Sequence, residues 1–266
     1  MPPFIKPDQL SPGDVFLYHG DSFISKLIRL FDGTEYSHAS IWQGDHVVEA
    51  LGNGITKNTL AASVSGAKFV DVYRFISSEG QNKLGSAEYP AKPVLDRVAF
   101  YEAHPERYAY EEIVLLAMLA STRRLPIPGL GLVLRNVLDS ASEVLARMVA
   151  AGKQPMICSE LVYRCYVEAG QKYFIRIRGA DVAMAQAASV LANAGSSAPL
   201  DAASAADAAF DEEAAVFLEN FYAVSGATPP GAAVQGEASL QAVADFVTPG
   251  DLKKSPNLQL AGTLRL

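Results

Sequence analysis

Apolar positions in the first part of the chain follow first a strand period and then a helix period. Residues 15–18 form a short apolar strand that follows the turn cluster Ser-Pro-Gly-Asp. A helix is expected to start at Asp21 or Ser22, since either is a good N-cap, and to end at Asp32-Gly33. Its predicted apolar face consists of Phe23, Ile24, Leu27, Ile28 and Phe31.

Two apolar runs, residues 37–42 and 46–51, lie on either side of Gly44-Asp45, which is a hairpin signal. The chain breaks again at Gly-Asn-Gly, and residues 69–75 alternate as a further strand would. These patterns predict an α+β fold in which a small antiparallel sheet packs on a helix.

The remainder of the chain is predicted to be mainly helical, and its apolar helices are interpreted as cover for the sheet. The alternative interpretations of these helices are an apolar substrate groove and a contact with a membrane surface. The predicted helices cover residues 96–104, 110–120 and 132–151, with a Pro/Gly break at 125–131 and a short helix within 154–170; residues 173–178 are a possible strand, 183–224 an alanine-rich acidic helical segment, and 246–257 a turn-rich tail. The domain organisation expected is one domain over residues 1–266, with helical insertions at 76–152 and 183–226.

Composition narrows the function classes. The 266 residues include 22 Lys and Arg against 29 Asp and Glu, which gives a net charge of −7, and half of the residues are hydrophobic. This composition excludes a mainly disordered chain, and the acidic balance argues against nucleic acid as the main partner. Residues 181–250 contain nine acids and no Lys or Arg, so this stretch carries −9 and the remainder carries +2.

The two cysteines do not suggest a disulfide framework. If Cys158 and Cys165 share a helix, the seven steps from one to the other rise about 10 Å, beyond the roughly 7 Å between Cα atoms that a disulfide can bridge. The N-terminus lacks the pattern of a signal peptide, and no apolar run approaches the roughly 18 residues of a membrane span. A cytoplasmic location is therefore expected. The spacing of Cys and His fits no metal site, and no motif indicates a cofactor.

Cys158 is the strongest candidate for chemistry, in the run Pro-Met-Ile-Cys-Ser-Glu-Leu-Val-Tyr. It lies where a loop enters a helix, and free N–H groups and the helix dipole at that point favour a thiolate nucleophile. The alternative is a buried cysteine that acts as a small hydrophobe, and this is the interpretation for Cys165.

The hairpin supplies a second candidate group. With Gly44-Asp45 at the turn, paired positions sum to 89, so His38 and Glu49 lie on one sheet face as diagonal neighbours, about 7–8 Å apart between Cα atoms. A histidine beside a carboxylate is the arrangement of a general base held in one tautomer. A surface His–Glu pair is the alternative.

These residues carry a family resemblance. The segments GDVFLY at 13–18, YSHASIW at 36–42, VVEA at 47–50 and ICSELV at 157–162 resemble the permuted papain-like amidases of the YaeF/YiiX type, as does TPGDL at 248–252. That type belongs to the circularly permuted branch of the NlpC superfamily and is related to the lecithin:retinol acyltransferases. The resemblance covers roughly residues 11–75, 153–178 and 245–266.

The resemblance implies a permuted papain-like fold with Cys158 as nucleophile, His38 as general base and Glu49 as the polar residue that orients His38. Glu49 stands where the acyltransferase relatives carry a second histidine. Tyr36 and Tyr18 are candidates for lining the cleft, or equally core aromatics.

Three functions remain open at this point. The first is a cysteine amidase or peptidase, which acts through an acyl-enzyme on a peptide or acyl-amide, with a cell-wall fragment among the candidate substrates. The second is a lipid-directed thioesterase or acyltransferase, supported only by the apolar residues 113–149. The third is a non-catalytic binding module, against which the complete Cys/His/Glu set counts. A membrane-surface contact is not favoured, because the acidic residues 181–250 would repel anionic lipid if they lay nearby.

Overall fold

A seven-stranded sheet organises the fold in the computed structural model, which describes residues 3–77, 79–105, 108–109, 112–122, 130–177, 210, 213–221, 223, 244 and 247–265. The strands are β1 (Phe4–Ile5), β2 (Val15–Gly20), β3 (His38–Trp42), β4 (Val47–Leu51), β5 (Gly54–Asn58), β6 (Ala67–Phe75), β7 (Tyr108–Ala109), β8 (Gln154–Pro155) and β9 (Leu258–Leu264). The helices are α1 (Phe23–Asp32), α2 (Leu60–Val64), α3 (Lys92–Glu102), α4 (Glu112–Thr122), α5 (Leu130–Ala150), α6 (Cys158–Val167) and α7 (Pro249–Lys254).

The strand order in the sheet is β1-β9-β6-β2-β3-β4-β5. All neighbours are antiparallel except β1 and β9, and β7 and β8 form a separate parallel pair. The fold is therefore α+β, as the sequence predicts.

Both faces of the sheet are buried, which explains the nearly continuous apolar character of its central strand. Val15 and Leu17 of β2 belong to the larger core that the helices share, whereas Phe16 and Tyr18 belong to a second core on the opposite face. Side chains from the short helix α2 pack against that second core. Successive residues of a strand point to opposite faces, so β2 contributes to both cores at once.

Helix α6 packs on β3 and β4 and is buried from its first residue through Tyr166. The polar side chains of its first turn are satisfied internally. Ser159 donates its hydroxyl to the backbone oxygen of Val247 at 2.7 Å, and Glu160 accepts from Arg164 Nε at 2.6 Å. These hydrogen bonds offset the free-energy cost of removing the two polar side chains from water, so the helix can lie inside the protein.

The C-terminal tail contains more regular structure than the sequence suggests. Residues 249–254 form α7, and β9 lies between β1 and β6 in the sheet. The carboxylate of Asp32, at the end of α1, accepts from Thr248 Oγ1 and from the Gly250 backbone N–H, both at 2.7 Å. This contact ties the start of α7 to the N-terminal part of the chain.

Two local predictions are wrong. Residues 173–177 are not a strand: a 3₁₀ turn covers Gln171–Tyr173, and the side chain of Asn257 then bonds the backbone N–H of Arg176 and the backbone oxygen of Phe174. A side chain thus satisfies the backbone groups that a neighbouring strand would have paired. Phe23 is not on the buried face of α1 but is 65% exposed, on the same side as the exposed Lys26 and Leu30.

The described residues include only parts of the two predicted insertions. Helices α3, α4 and α5 fill most of residues 76–152, and the apolar side chains of residues 114–120 are buried in the larger core. Most of residues 183–226 lies outside the described residues, although residues 213–221 are helical. None of the helices that the structure describes is both long and apolar enough to cross a membrane.

Candidate active site

Cys158 is the first residue of α6. The preceding residue, Ile157, has extended backbone, and its N–H donates to Glu160 Oε2 at 3.2 Å. The first N–H groups of a helix have no partner within the helix, and they carry the positive end of its dipole. The sequence-based placement of Cys158 where a loop enters a helix is confirmed.

The predicted hairpin register is also confirmed. Ile41 pairs with Val48 and Trp42 with Val47, so paired positions sum to 89. The Gln43 N–H donates to the His46 oxygen at 2.9 Å, which closes the turn. Gly44 adopts a φ of 137°, a conformation that glycine accepts without a steric cost.

His38 links Glu49 to Cys158. Its Nε2 lies 2.9 Å from Glu49 Oε2, and the Cys158 side chain faces the ring closely enough to raise the pKa of His38. Because Nε2 meets the carboxylate, Nδ1 is the nitrogen left for the sulfur. The backbones of β3 and β4 pair at two positions near the turn. At the other end of these two strands, the side chains of His38 and Glu49 connect them. The structure therefore brings together all three residues that the sequence proposed as catalytic.

The electrostatics of the three residues favour an ion pair. Burial alone would lower the pKa of His38, but the facing Cys158 and the Glu49 carboxylate outweigh it and raise that pKa to about 10. Burial would raise the pKa of Glu49, and hydrogen bonds from His38, Asn58 and Ser63 reverse this and lower it. Near neutral pH the arrangement holds an imidazolium beside an ionised carboxylate.

Sequence reasoning missed two residues that contact Glu49. Asn58 donates its side-chain N–H to Glu49 Oε1 at 2.8 Å, and Ser63 of α2 also hydrogen-bonds the carboxylate. A register argument could have found Asn58. The β4–β5 pairs sum to 105, so Glu49 opposes Thr56 and is a diagonal neighbour of Asn58.

The two tyrosines that were candidates for substrate binding lie in different places. Tyr18 packs its ring against His38 with 5.1 Å between centroids, and its hydroxyl hydrogen-bonds Ser40 at 2.6 Å and Ser63 at 2.7 Å. Tyr36 instead donates to Asp71 at 2.7 Å, within the larger core. Only Tyr18 contacts the Cys158–His38–Glu49 group through His38, and a role of either tyrosine in binding stays a prediction.

Across the residues that the structure describes, no group of three or more His, Cys, Asp or Glu side chains could hold a metal ion. Both cysteines are free thiols.

The fold is similar to that of a solved structure. No protein-family model matches the chain, and no curated protein matches it. The crystal structure of the metalloprotein yiiX from Escherichia coli O157:H7, DUF1105, aligns over 96% of this chain and 97% of its own, with a TM-score of 0.44 and 14% sequence identity. This degree of similarity says nothing about the chemistry of the protein.

Proposed function

We propose that the protein is a cysteine hydrolase that cleaves an amide bond, or an ester or thioester bond, through a covalent acyl-enzyme on Cys158. The observation that carries this proposal is the continuous buried contact from Cys158 to His38 to Glu49. A nucleophile, a base in hydrogen-bond contact with it and a third group that orients the base form the arrangement required for nucleophilic catalysis.

In the proposed reaction, His38 acts as the base that holds the proton of the Cys158 thiol as an imidazolium, and the Cys158 thiolate attacks the substrate carbonyl carbon. The carbon–nitrogen bond, or the bond to oxygen or sulfur in an ester or thioester, then breaks as the imidazolium of His38 protonates the leaving group. A water molecule, deprotonated by His38, attacks the thioester and releases the acid and the free thiolate. The Cys158 backbone N–H, at the start of α6, is the candidate donor to the oxyanion in both steps.

The packing of α4 favours the amidase hypothesis over the lipid-directed hypothesis. The apolar segment that suggested a lipid surface places residues 114–120 inside the larger core, where they are not available to a membrane. The hypothesis of a binding module without activity is weaker. Burial of three ionisable side chains costs free energy of folding, and a site that carries out no chemistry gains little from them. A reducing compartment such as the cytoplasm would keep Cys158 as a thiol.

The test uses p-nitrophenyl acetate, an activated ester that acylates reactive thiols. We expect a burst of p-nitrophenol equal to the enzyme concentration, with an acetyl group on the Cys158 peptide by mass spectrometry. The Cys158→Ala and His38→Ala variants should lack the burst, and Cys165→Ala should retain it. Absence of acetyl-Cys158 in the folded wild-type protein would favour a binding module. A burst unchanged in His38→Ala would refute the proposed base.

Once the burst is established, incubation with cell extract and mass spectrometry of the trapped Cys158 adduct would identify the acyl group. A peptidyl or amide-derived adduct supports the amidase reading, and a fatty acyl adduct supports the lipid-directed alternative.

A further inference from the structure

Glu49 is held at both of its carboxylate oxygens. Oε2 lies 2.9 Å from His38 Nε2, and Oε1 accepts from the side-chain amide of Asn58 at 2.8 Å. The Asn58 contact fixes the plane of the carboxylate, because rotation about the last side-chain bond would break both hydrogen bonds together.

Asn58 is placed by two regular elements. It is the last residue of β5, which pairs with β4 over five residue pairs from Leu51–Gly54 to Val47–Asn58. The next residue, Thr59, is the N-cap of α2 and accepts from the Ala62 N–H at 3.2 Å. The ladder on one side and the helix cap on the other therefore restrain the backbone of Asn58.

The same helix adds a second polar contact. Ser63 hydrogen-bonds Glu49 and also the hydroxyl of Tyr18, and Tyr18 in turn bonds Ser40 of β3. Networks of this kind, in which each buried polar group has a partner, fix side chains in one arrangement. Within this network, Asn58 donates to Oε1, the carboxylate oxygen of Glu49 that does not face His38.

We propose that Asn58 is a positioning residue of the candidate active site. By donating to Oε1 of Glu49, Asn58 orients the carboxylate so that Oε2 faces His38. The inference rests on the proposed function, because it assumes that His38 and Cys158 are the reacting pair. It assigns Asn58 a role through Glu49 and not through contact with substrate.

The proposal predicts a change in pH dependence. The titratable groups that meet Glu49 are His38 from β3 and Tyr18 from β2, with Cys158 of α6 on the far side of His38. Asn58 and Ser63 are neutral donors that help to keep the pKa of Glu49 low against its burial. Without the Asn58 donor, that pKa should rise, and the imidazolium should lose its fixed counter-charge over the same pH range.

The experiment measures the alkylation rate of Cys158 by iodoacetamide from pH 4 to pH 9, with peptide mapping by mass spectrometry. Asn58→Ala and Asn58→Leu both remove the donor, and the leucine variant keeps most of the side-chain volume. We expect the Cys158 rate to fall about tenfold in both on the acid side of the profile, where Glu49 titrates, as loss of a hydrogen bond to a charged group would cause. The acid side of the profile should move up by about one pH unit.

Thr56→Val is the matched control. Thr56 lies on the same strand and donates its hydroxyl to the backbone oxygen of Glu49 at 3.2 Å, so its loss disturbs β5 without touching the carboxylate. Its pH profile should equal that of the wild type. An equal shift in Thr56→Val and in the Asn58 variants would assign Asn58 a merely structural role and overturn the inference.

The two proposals fail in different ways. If the Asn58 variants keep the wild-type profile while His38→Ala and Glu49→Gln still slow alkylation of Cys158, only the role of Asn58 is wrong. If alkylation of Cys158 does not respond to His38→Ala, the proposed function fails with it.

Discussion

The two ends of α6 carry the same residue in very different surroundings. Cys158 and Cys165 lie on one helix, and both are fully buried. At the first end, the thiol meets the imidazole of His38 at the positive end of the helix dipole. At the other, burial raises the pKa of Cys165, and the nearby Glu168 carboxylate adds to that increase.

Burial alone therefore does not decide what a cysteine in this protein does. Both thiols are buried, but Cys158 faces the imidazolium of His38, whereas at Cys165 the Glu168 carboxylate adds to burial in raising the pKa and the Arg97 guanidinium does not reverse it. The buried pair of Glu160 and Arg164 lies between them and holds the first turn of the helix through the Ile157 N–H. One helix thus supplies a candidate nucleophile at its start and an apolar packing group near its end.

The largest contrast should appear in turnover. Cys158→Ala removes the nucleophile and should abolish the p-nitrophenyl acetate burst, with a loss of at least about 10³-fold in the acylation rate. Cys165→Ala should leave that rate unchanged within about twofold, because it contacts neither His38 nor Glu49. Stopped-flow absorbance measures both rates. A comparable loss in the two variants would mean that the two ends of α6 are not chemically distinct.

Alkylation should separate the two thiols next. Iodoacetamide at neutral pH should label Cys158 on the order of 100-fold faster than Cys165, since each unit of pKa changes the thiolate fraction about tenfold and the pKa of Cys165 is raised. Peptide mapping of the folded protein measures the ratio. Denatured protein is the control, in which both cysteines should react alike. Equal labelling in the folded protein would contradict the assignment of Cys158 as nucleophile.

The partner of Cys158 can be weakened without removing the thiol. Glu49→Gln should reduce the acylation rate by about 10- to 100-fold, less than Cys158→Ala does, because the glutamine oxygen can still accept from His38. The pKa of His38, about 10 in the wild type, is raised in part by the Glu49 charge. Loss of this charge lowers that pKa, so the alkaline limb of kcat/KM should move to lower pH.

The pH profile on an amide substrate makes the Glu49 prediction specific. An amine leaving group must be protonated by the imidazolium of His38, so kcat/KM for an amide should decline as the pH rises through about 10 in the wild type and at lower pH in Glu49→Gln. Thr56→Val, which leaves the carboxylate in place, should keep the wild-type limb. Full activity of Glu49→Gln with an unchanged alkaline limb would show that Glu49 does not orient His38.

Short-range sequence patterns predicted the hairpin that carries His38 and Glu49 better than they predicted the strands next to it. The hairpin register followed from Gly44-Asp45 and correctly placed His38 and Glu49 as neighbours, because turn geometry fixes which residues face each other. The approach of α6 to this hairpin depends on the contact between Cys158 and His38, which are 120 positions apart in sequence, and periodicity alone does not encode such a contact. There the family resemblance supplied the pairing of Cys158 with His38, and the structure places the two in contact.

Weakly patterned segments were missed for a physical reason. Strand β5 ends in Thr-Lys-Asn and has no alternation, yet its backbone pairs with β4 and delivers Asn58 to Glu49. Strand β9 contains Gln259 and Gly262, and its place in the sheet is set by neighbours from distant parts of the chain. Strand formation here depends on tertiary context more than on intrinsic preference.

The smallest expected effect is that of Cys165 on the free energy of unfolding. Cys165→Ala should cost about 1–2 kcal/mol in the free energy of unfolding, since it deletes one buried atom from the core. Above about pH 8.5 an unfolded chain loses the thiol proton whereas the folded protein keeps it, so the wild type should lose stability as the pH rises and Cys165→Ala should lose less. Urea denaturation at pH 7 and pH 9.5 measures the difference. A variant with unchanged stability at both pH values would contradict the packing role of Cys165.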